Sequence, residues 1–252
     1  MGKIIAVANQ KGGVGKTTSA VNIAAGLAVM GKKVLLFDLD PQGNASSGLG
    51  VEPAGKKSSY DVMMGETAAK EAVFETKWCD VVPSDNNLAG AEIELVSKEG
   101  RESILKKALE PLKERYDYIF IDCPPSLSIL TINALVCCDT VLVPMQCEYY
   151  ALEGLSQLVQ TIRTVKKSMN PNIDFEGILL TMYDGRTNLT LQVGEEIKRF
   201  FGSKVYKTVI PRNIRLSEAP SHSLPIFDYD KYSKGAESYK NVCLEIEEKN
   251  RS

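Results

Sequence analysis

The sequence predicts an α/β fold: a doubly wound, mostly parallel sheet with helices on both faces. Three observations predict it. Short apolar, β-branched runs recur along the chain, as strands buried on both faces of a parallel sheet require. Segments with helical spacing alternate with them. With 252 residues, one domain can bury roughly 70–75% of its unfolded surface, so a core of this kind is within reach.

Taken in order, the strand candidates are KIIAVA (3–8), KVLLFD (33–38), the CDVVP region (79–83), YIFID (118–122), TVLVP (140–144), EGILLTM (176–182) and VYKTVIP (205–211). Helical spacing marks 17–31, which stops at Gly31, then 101–116, 126–135, 151–169 and 188–201. The segment 234–250 reads as a further helix with Tyr239, Val242, Cys243 and Ile246 on one stripe. Its polar face mixes Glu and Lys, whereas a helix lying on a membrane is basic there, so it is expected to pack against the domain. No repeat, low-complexity linker or second domain is evident, and 50–78, rich in Gly, Ser and Lys, is the softest stretch. The reading is one domain over 1–252, with ligands at the carboxyl ends of the strands.

Composition narrows the classes. Six cysteines show no C-x-x-C pairing, and no secretory leader precedes the first apolar run, which points to reduced thiols in a cytoplasmic protein. No apolar run approaches the ~20 residues of a membrane span. The formal charge of −2 says little overall, but seven basic residues lie between Arg186 and Arg215 against two acidic ones, Glu195 and Glu196. Such a run is usually a solvated face and does not by itself name a ligand.

The strongest signal is NQKGGVGKTT (9–18). It ends as a phosphate-binding loop does, on Gly15, Lys16 and Thr17, but Gln10 stands where the general pattern has its first glycine. It follows a strand and opens a helix, the context such a loop requires. Gly12, Gly13 and Gly15 let main-chain N–H groups turn toward phosphate oxygens. Lys16 suits the β- and γ-phosphates and the Thr17 hydroxyl suits Mg²⁺. Asp122, ending YIFID, is expected beside the loop on the magnesium side. Asp38 and Asp40 end the next strand, with Asp38 nearer the metal and Asp40 placed to orient a nucleophilic water.

With these motifs in place, the chain resembles the ParA-family partition ATPases of the short chromosomal Soj type, a deviant Walker A branch of the P-loop NTPases. The resemblance rests on KGGVGKTT, DLDPQGNASSGLG, AGAEIEL, YDYIFIDCPPSLSILTINAL, PMQCEYYALEGLSQL, RTNL and VYKTVIPRNIRLSEAPSH, and runs from residue 1 to about 240. In that family Gln is a usual residue at the position of Gln10. The resemblance implies slow, partner-stimulated ATP hydrolysis with Mg²⁺. Lys11 becomes the signature lysine that reaches the nucleotide of a second subunit in an ATP-dependent homodimer. The implied catalytic set is Lys11, Lys16 and Asp40. The nucleotide-binding set is Gln10, Lys11, Gly12, Gly13, Val14, Gly15, Lys16, Thr17 and Thr18, with Pro211 and Asn213 near the adenine. Thr17, Asp38 and Asp122 are the metal set. Arg186 and Arg215 match positions used for non-specific binding to double-stranded DNA, with Lys198, Lys204 and Lys207 as weaker candidates. A ParB-like centromere-binding protein is the implied partner, and the nucleoid the implied location of the ATP-bound form.

Rival readings share the loop. A MinD-like, membrane-binding ATPase for cell-division siting would carry a basic amphipathic C-terminal helix, where this chain has Glu245, Glu247 and Glu248. An iron–sulfur electron-transfer ATPase would need glycine-rich cluster motifs that are missing around Cys123, Cys137 and Cys138. A ligase that phosphorylates a carboxylate would need a second substrate pocket, which no motif marks. No N-terminal helix-turn-helix is expected, and hence no sequence-specific repression. Ser223 and Leu224 stand where the family commonly has Gly and Lys, and the single histidine, His222, is expected to be a loop hydrogen-bonder.

Overall fold

The computed structural model describes residues 2–55, 57–149 and 151–250. Six strands form one sheet: β1 (Lys3–Val7), β2 (Val34–Asp38), β3 (Asp80–Val82), β4 (Tyr118–Asp122), β5 (Thr140–Gln146) and β6 (Asp174–Thr181). Their order is β3-β2-β4-β1-β5-β6 and every pair is parallel. The chain builds outward from β1 in one direction, returns through β4, and then builds in the other. The order therefore reverses at β1, the place where open sheets of this kind form their crevice. The helices are α1 (Lys16–Val29), α2 (Asn44–Gly48), α3 (Ser59–Met64), α4 (Leu88–Glu94), α5 (Ile104–Leu109), α6 (Ile129–Cys137), α7 (Ala151–Ser168), α8 (Asn188–Phe201), α9 (Ile214–Glu218), α10 (Ile226–Tyr229) and α11 (Lys234–Asn250).

Alternate residues of each strand serve the two faces. Ile5, Val7, Leu36, Phe120, Leu142 and Leu179 meet α1 and α11 on one side. Ile4, Ala6, Phe37, Ile121, Val143 and Leu180 meet α5 to α8 on the other. Both sets are buried, which is why the strands read as continuous apolar runs. The stripe on α11 is buried as its spacing requires: Tyr239, Val242, Cys243 and Ile246 pack on α1. The helices approach closely because Gly26 faces the Cys243 thiol, where a Cβ would lie 2.7 Å from Sγ.

Three elements differ from the sequence expectation. The segment 205–211 is not a strand; only Val205 and Pro211 make isolated bridges, to Ile178 and Tyr183. Its middle N–H groups go to a side chain of α11 and not to the sheet. The 101–116 run is α-helical only over α5, with a 3₁₀ turn at Arg101–Ser103 before it; α5 ends where Pro111 has no N–H and its ring crowds the carbonyl four residues back, and a 3₁₀ turn over Glu110–Leu112 follows. The soft stretch holds α3, closed by a capping box in which Ser58 and Asp61 exchange side-chain bonds and by Gly65 in the left-handed region.

All six cysteines are free and buried. Burial pushes the thiols of Cys79, Cys137 and Cys243 up to about 12 and that of Cys147 up to about 11, so little nucleophilic thiolate forms near neutrality. In the native protein at pH 8, none of the six should react rapidly with Ellman's reagent, and all six should react in guanidinium. A fast-titrating thiol in the native state would contradict this packing.

Candidate active site

The loop between β1 and α1 is shaped by its glycines and tied down from three strands. Gly13 and Gly15 take φ values of 71° and 81°, which residues with a Cβ avoid, and a Cβ on Gly12 or Gly13 would meet only open space. The Gly13 carbonyl accepts from Gln146 Nε2 at 3.0 Å and the Val14 carbonyl accepts from Thr181 Oγ1 at 2.7 Å. Asn9 accepts from the Lys11 N–H at 3.0 Å and donates to the Pro144 carbonyl at 2.8 Å. Gln10 is half-buried, and Val14 is buried in the base of the loop. The two lysines point differently. Lys16 is buried and donates to the Lys11 carbonyl at 3.2 Å; burial lowers its pKa against the pull of Asp122. Lys11 is exposed, and its ammonium pairs with Glu148 beyond β5.

Strand register brings the acids together. Asp38 and Asp122 are direct partners across β2 and β4, and Asp122 is level with Val7 of β1. Asp122 Oδ2 accepts from Thr17 Oγ1 at 2.7 Å, while its fully buried Oδ1 has no hydrogen-bond partner among the described residues. That orphaned oxygen beside a threonine hydroxyl is the donor set a hard cation selects. Asp38 is more engaged: its Oδ2 accepts from the Ser46 N–H at 2.9 Å and hydroxyl at 2.6 Å, and its Oδ1 from the Asp40 N–H at 3.2 Å. Asp40 is nearly buried, with Oδ1 accepting from the Gln42 N–H at 3.0 Å. Burial first, then the neighbouring carboxylate, raises the pKa of Asp122 well above the usual range. Burial raises that of Asp38 to about 6, against the Ser46 bonds.

A cleft of about 550 Å³ opens beside the loop, lined by Gly15, Thr18, Met182, Pro211, Asn213 and Tyr239 among others. Both sequence-proposed adenine neighbours are therefore brought to the phosphate loop. The basic residues are only partly gathered. Arg186 follows β6 and pairs with Asp184, and Arg215 in α9 pairs with Glu218 and Asp230. Lys204 pairs with Asp174, at the amino end of β6, so it lies away from the cleft. Lys198 and Lys207 are exposed. The linear excess of positive charge is thus partly offset by Asp174, Asp184, Glu218 and Asp230, which lie outside the stretch counted. His222 stacks on Tyr229 with ring centroids 5.1 Å apart. Ser223 takes a φ of 55°, a left-handed conformation that glycine adopts more readily than serine.

Gln146, Thr181 and Ser46 escaped the sequence reading. Gln146 and Thr181 carry the signal that found Asp122, a polar side chain at the carboxyl end of an apolar run.

The raised pKa of Asp38 has a definite sign. Between the unfolded value and about 6, the native state keeps a proton that the unfolded chain has released, so stability falls as pH rises through that window. Asp38→Asn keeps an acceptor for Ser46 without the charge. In metal-free, nucleotide-free protein it should raise stability by roughly 1–3 kcal/mol at pH 7 and have little effect at pH 4, read as Tm against pH by calorimetry. An unchanged Tm at pH 7 would show that Asp38 ionises there without cost.

A family model described as an AAA domain matches residues 2–175. The chain is 58% identical over 249 residues to the sporulation initiation inhibitor protein Soj of Bacillus subtilis (strain 168), covering 98% of each chain. It is 49% identical over 248 residues to the chromosome-partitioning ATPase Soj of Treponema pallidum (strain Nichols), covering 98% of this chain and 97% of the other. Among solved structures it is similar to cobyrinic acid a,c-diamide synthase from Mycobacterium smegmatis with bound ATP analog and magnesium, at 37% identity, a TM-score of 0.89 and coverage of 100% and 96%. With relatives so similar along almost its whole length, the chain belongs to the Soj/ParA family of chromosome-partitioning ATPases.

Proposed function

We propose that this ATPase acts as a switch in which two copies close face to face over two ATP molecules and the closed pair binds double-stranded DNA without sequence preference. The observation that carries the reading is the divergence of the two loop lysines. Lys16 is turned into its own loop, whereas Lys11 sits at the exposed rim and, among the described residues, its ammonium pairs with Glu148. That ion pair has 42% and 47% of its two side chains exposed, so breaking it costs about 0–1 kcal/mol. Lys11 can leave it to offset the phosphate charge that a second subunit brings to the interface.

Within one subunit, the inward N–H groups of the loop and Lys16 hold the phosphates, with Thr18, Pro211 and Asn213 along the nucleoside. Thr17 and Asp122, with Asp38 behind them, would hold Mg²⁺, which when bound neutralises charge on the β- and γ-phosphate oxygens. Asp40, kept in place by the Gln42 N–H, orients the attacking water. Losing the γ-phosphate removes what the second subunit binds, so the pair opens. A timer of this kind needs slow basal turnover, with a ParB-like protein accelerating it. Arg186 and Arg215, near the carboxyl edge, make the principal DNA phosphate contacts, with Lys198 and Lys207 flanking and Lys204 contributing least. The working place is the cytoplasm, and the nucleoid while ATP is bound. The MinD-like alternative fits less well because the apolar stripe of α11 is already buried. No helix among the described residues is long and apolar enough to cross a membrane.

Lys11→Ala should bind ATP nearly normally but lose ATP-dependent dimerisation by light scattering; an unchanged dimer would refute the role of Lys11. Arg186→Glu should bind ATP yet fail to co-sediment with plasmid DNA at low salt, since each lost phosphate contact removes roughly 0.9 from the log–log salt slope. Retained DNA binding by that variant, or wild-type protein sedimenting with anionic liposomes and not DNA, would overturn the assignment.

A further inference from the structure

The segment 205–211 carries two residues more than the strand beside it. Tyr206 donates to the Ile178 carbonyl at 2.9 Å, and the next main-chain bond to β6 runs from Ile210 to the Leu180 carbonyl at 2.8 Å. Four residues of advance on one side thus match two on the other, where a regular parallel ladder would have used Thr208. The N–H groups of Lys207 and Thr208 are left over, and one carboxylate takes both. Glu245 of α11 accepts from Lys207 through Oε2 at 2.9 Å and from Thr208 through Oε1 at 2.8 Å. A charged, two-pronged acceptor of this kind is worth considerably more than a neutral bond. The chain released from this clamp runs straight into Ile210, Pro211, Arg212 and Asn213, which line the cleft opposite Gly15 and Thr18.

We infer that Glu245 is a positioning residue for the nucleoside half of the ATP cleft. By holding two extra residues out of the ladder, it sets which residues arrive opposite the phosphate loop. Without it, Thr208 is free to take the Leu180 carbonyl, a slip of two residues, or about 7 Å along the strand, which removes Pro211 and Asn213 from the cleft. The helix does not need Glu245 to stay docked, since Tyr239, Val242, Cys243 and Ile246 anchor it and Tyr239 also meets Ser19 of α1 at 3.1 Å. Glu245 thus governs the nucleoside side and leaves the phosphate loop alone. The inference rests on the reading that the nucleoside lies in this cleft.

The test compares Mg-ATP with Mg-tripolyphosphate, which has the phosphates but no nucleoside, by calorimetric titration of wild-type protein, Glu245→Ala and Glu245→Gln. Wild type should prefer ATP. Glu245→Ala should lose at least about tenfold in ATP affinity while tripolyphosphate affinity changes by no more than about twofold, a split that general destabilisation would not produce. Glu245→Gln keeps one acceptor oxygen, should fall between the two, and supplies the reading if the alanine variant does not fold. An ATP preference preserved in the variants, or equal losses for both ligands, would overturn the role of Glu245 while leaving the nucleoside reading in place. A wild type that binds tripolyphosphate as tightly as ATP would overturn the nucleoside reading itself, and this inference with it.

Discussion

Two carboxylates, Asp38 and Asp122, stand in register on neighbouring strands with no exposure to water, and the site is organised around their repulsion. Burial favours the protonated form of both, with the charge of Asp38 adding to it at Asp122 and that of Asp40 at Asp38, so the folded protein carries an electrostatic cost it could have avoided with neutral residues. Ser46 and Thr17 relieve part of it, one acid each. What remains is Asp122 Oδ1, which no group among the described residues satisfies. A doubly charged cation bound there would offset that charge, so binding it would stabilise the fold.

The loop shows the complementary design. Its backbone is tied down by Asn9, Gln146 and Thr181, side chains from three strand ends, so the loop conformation is fixed before any anion arrives. Pre-arrangement of this kind lowers the entropy cost of binding. Against that rigid frame Lys11 is the exception, an exposed cation on a weak tether. Stiffness surrounds the group that binds within the subunit, and freedom is left to the group proposed to bind outside it.

Much of this was legible in the sequence because the relevant signals are local. Six strands announced themselves as apolar runs, and α8 and α11 lie where helical spacing places them. Asp122 was visible as a carboxylate closing an apolar strand. Pro111 and the capping box around α3 are local signals, but other failures arise where distant groups override local preference. VYKTVIP has the composition of a strand, but Glu245, some 38 residues on, captures its central N–H groups. The basic stretch appears unopposed until its acidic partners come in from residues beyond it. Ser46 and Gln146 are ordinary polar residues in sequence; only the fold, through α2 for the first and the end of β5 for the second, brings them to the site.

The bulge in 205–211 has a consequence for association. It lies along β6, the outer strand on one side, and interrupts the row of main-chain donors and acceptors that a flat edge would present. The opposite border, β3, is three residues long, and Phe74 closes on Val81 with bonds of 2.7 and 2.8 Å. Both borders are thus poor templates for a neighbouring chain. Blunted borders suppress sheet-to-sheet growth, so the proposed pairing of copies over the nucleotide face would meet little competition from edge-to-edge association.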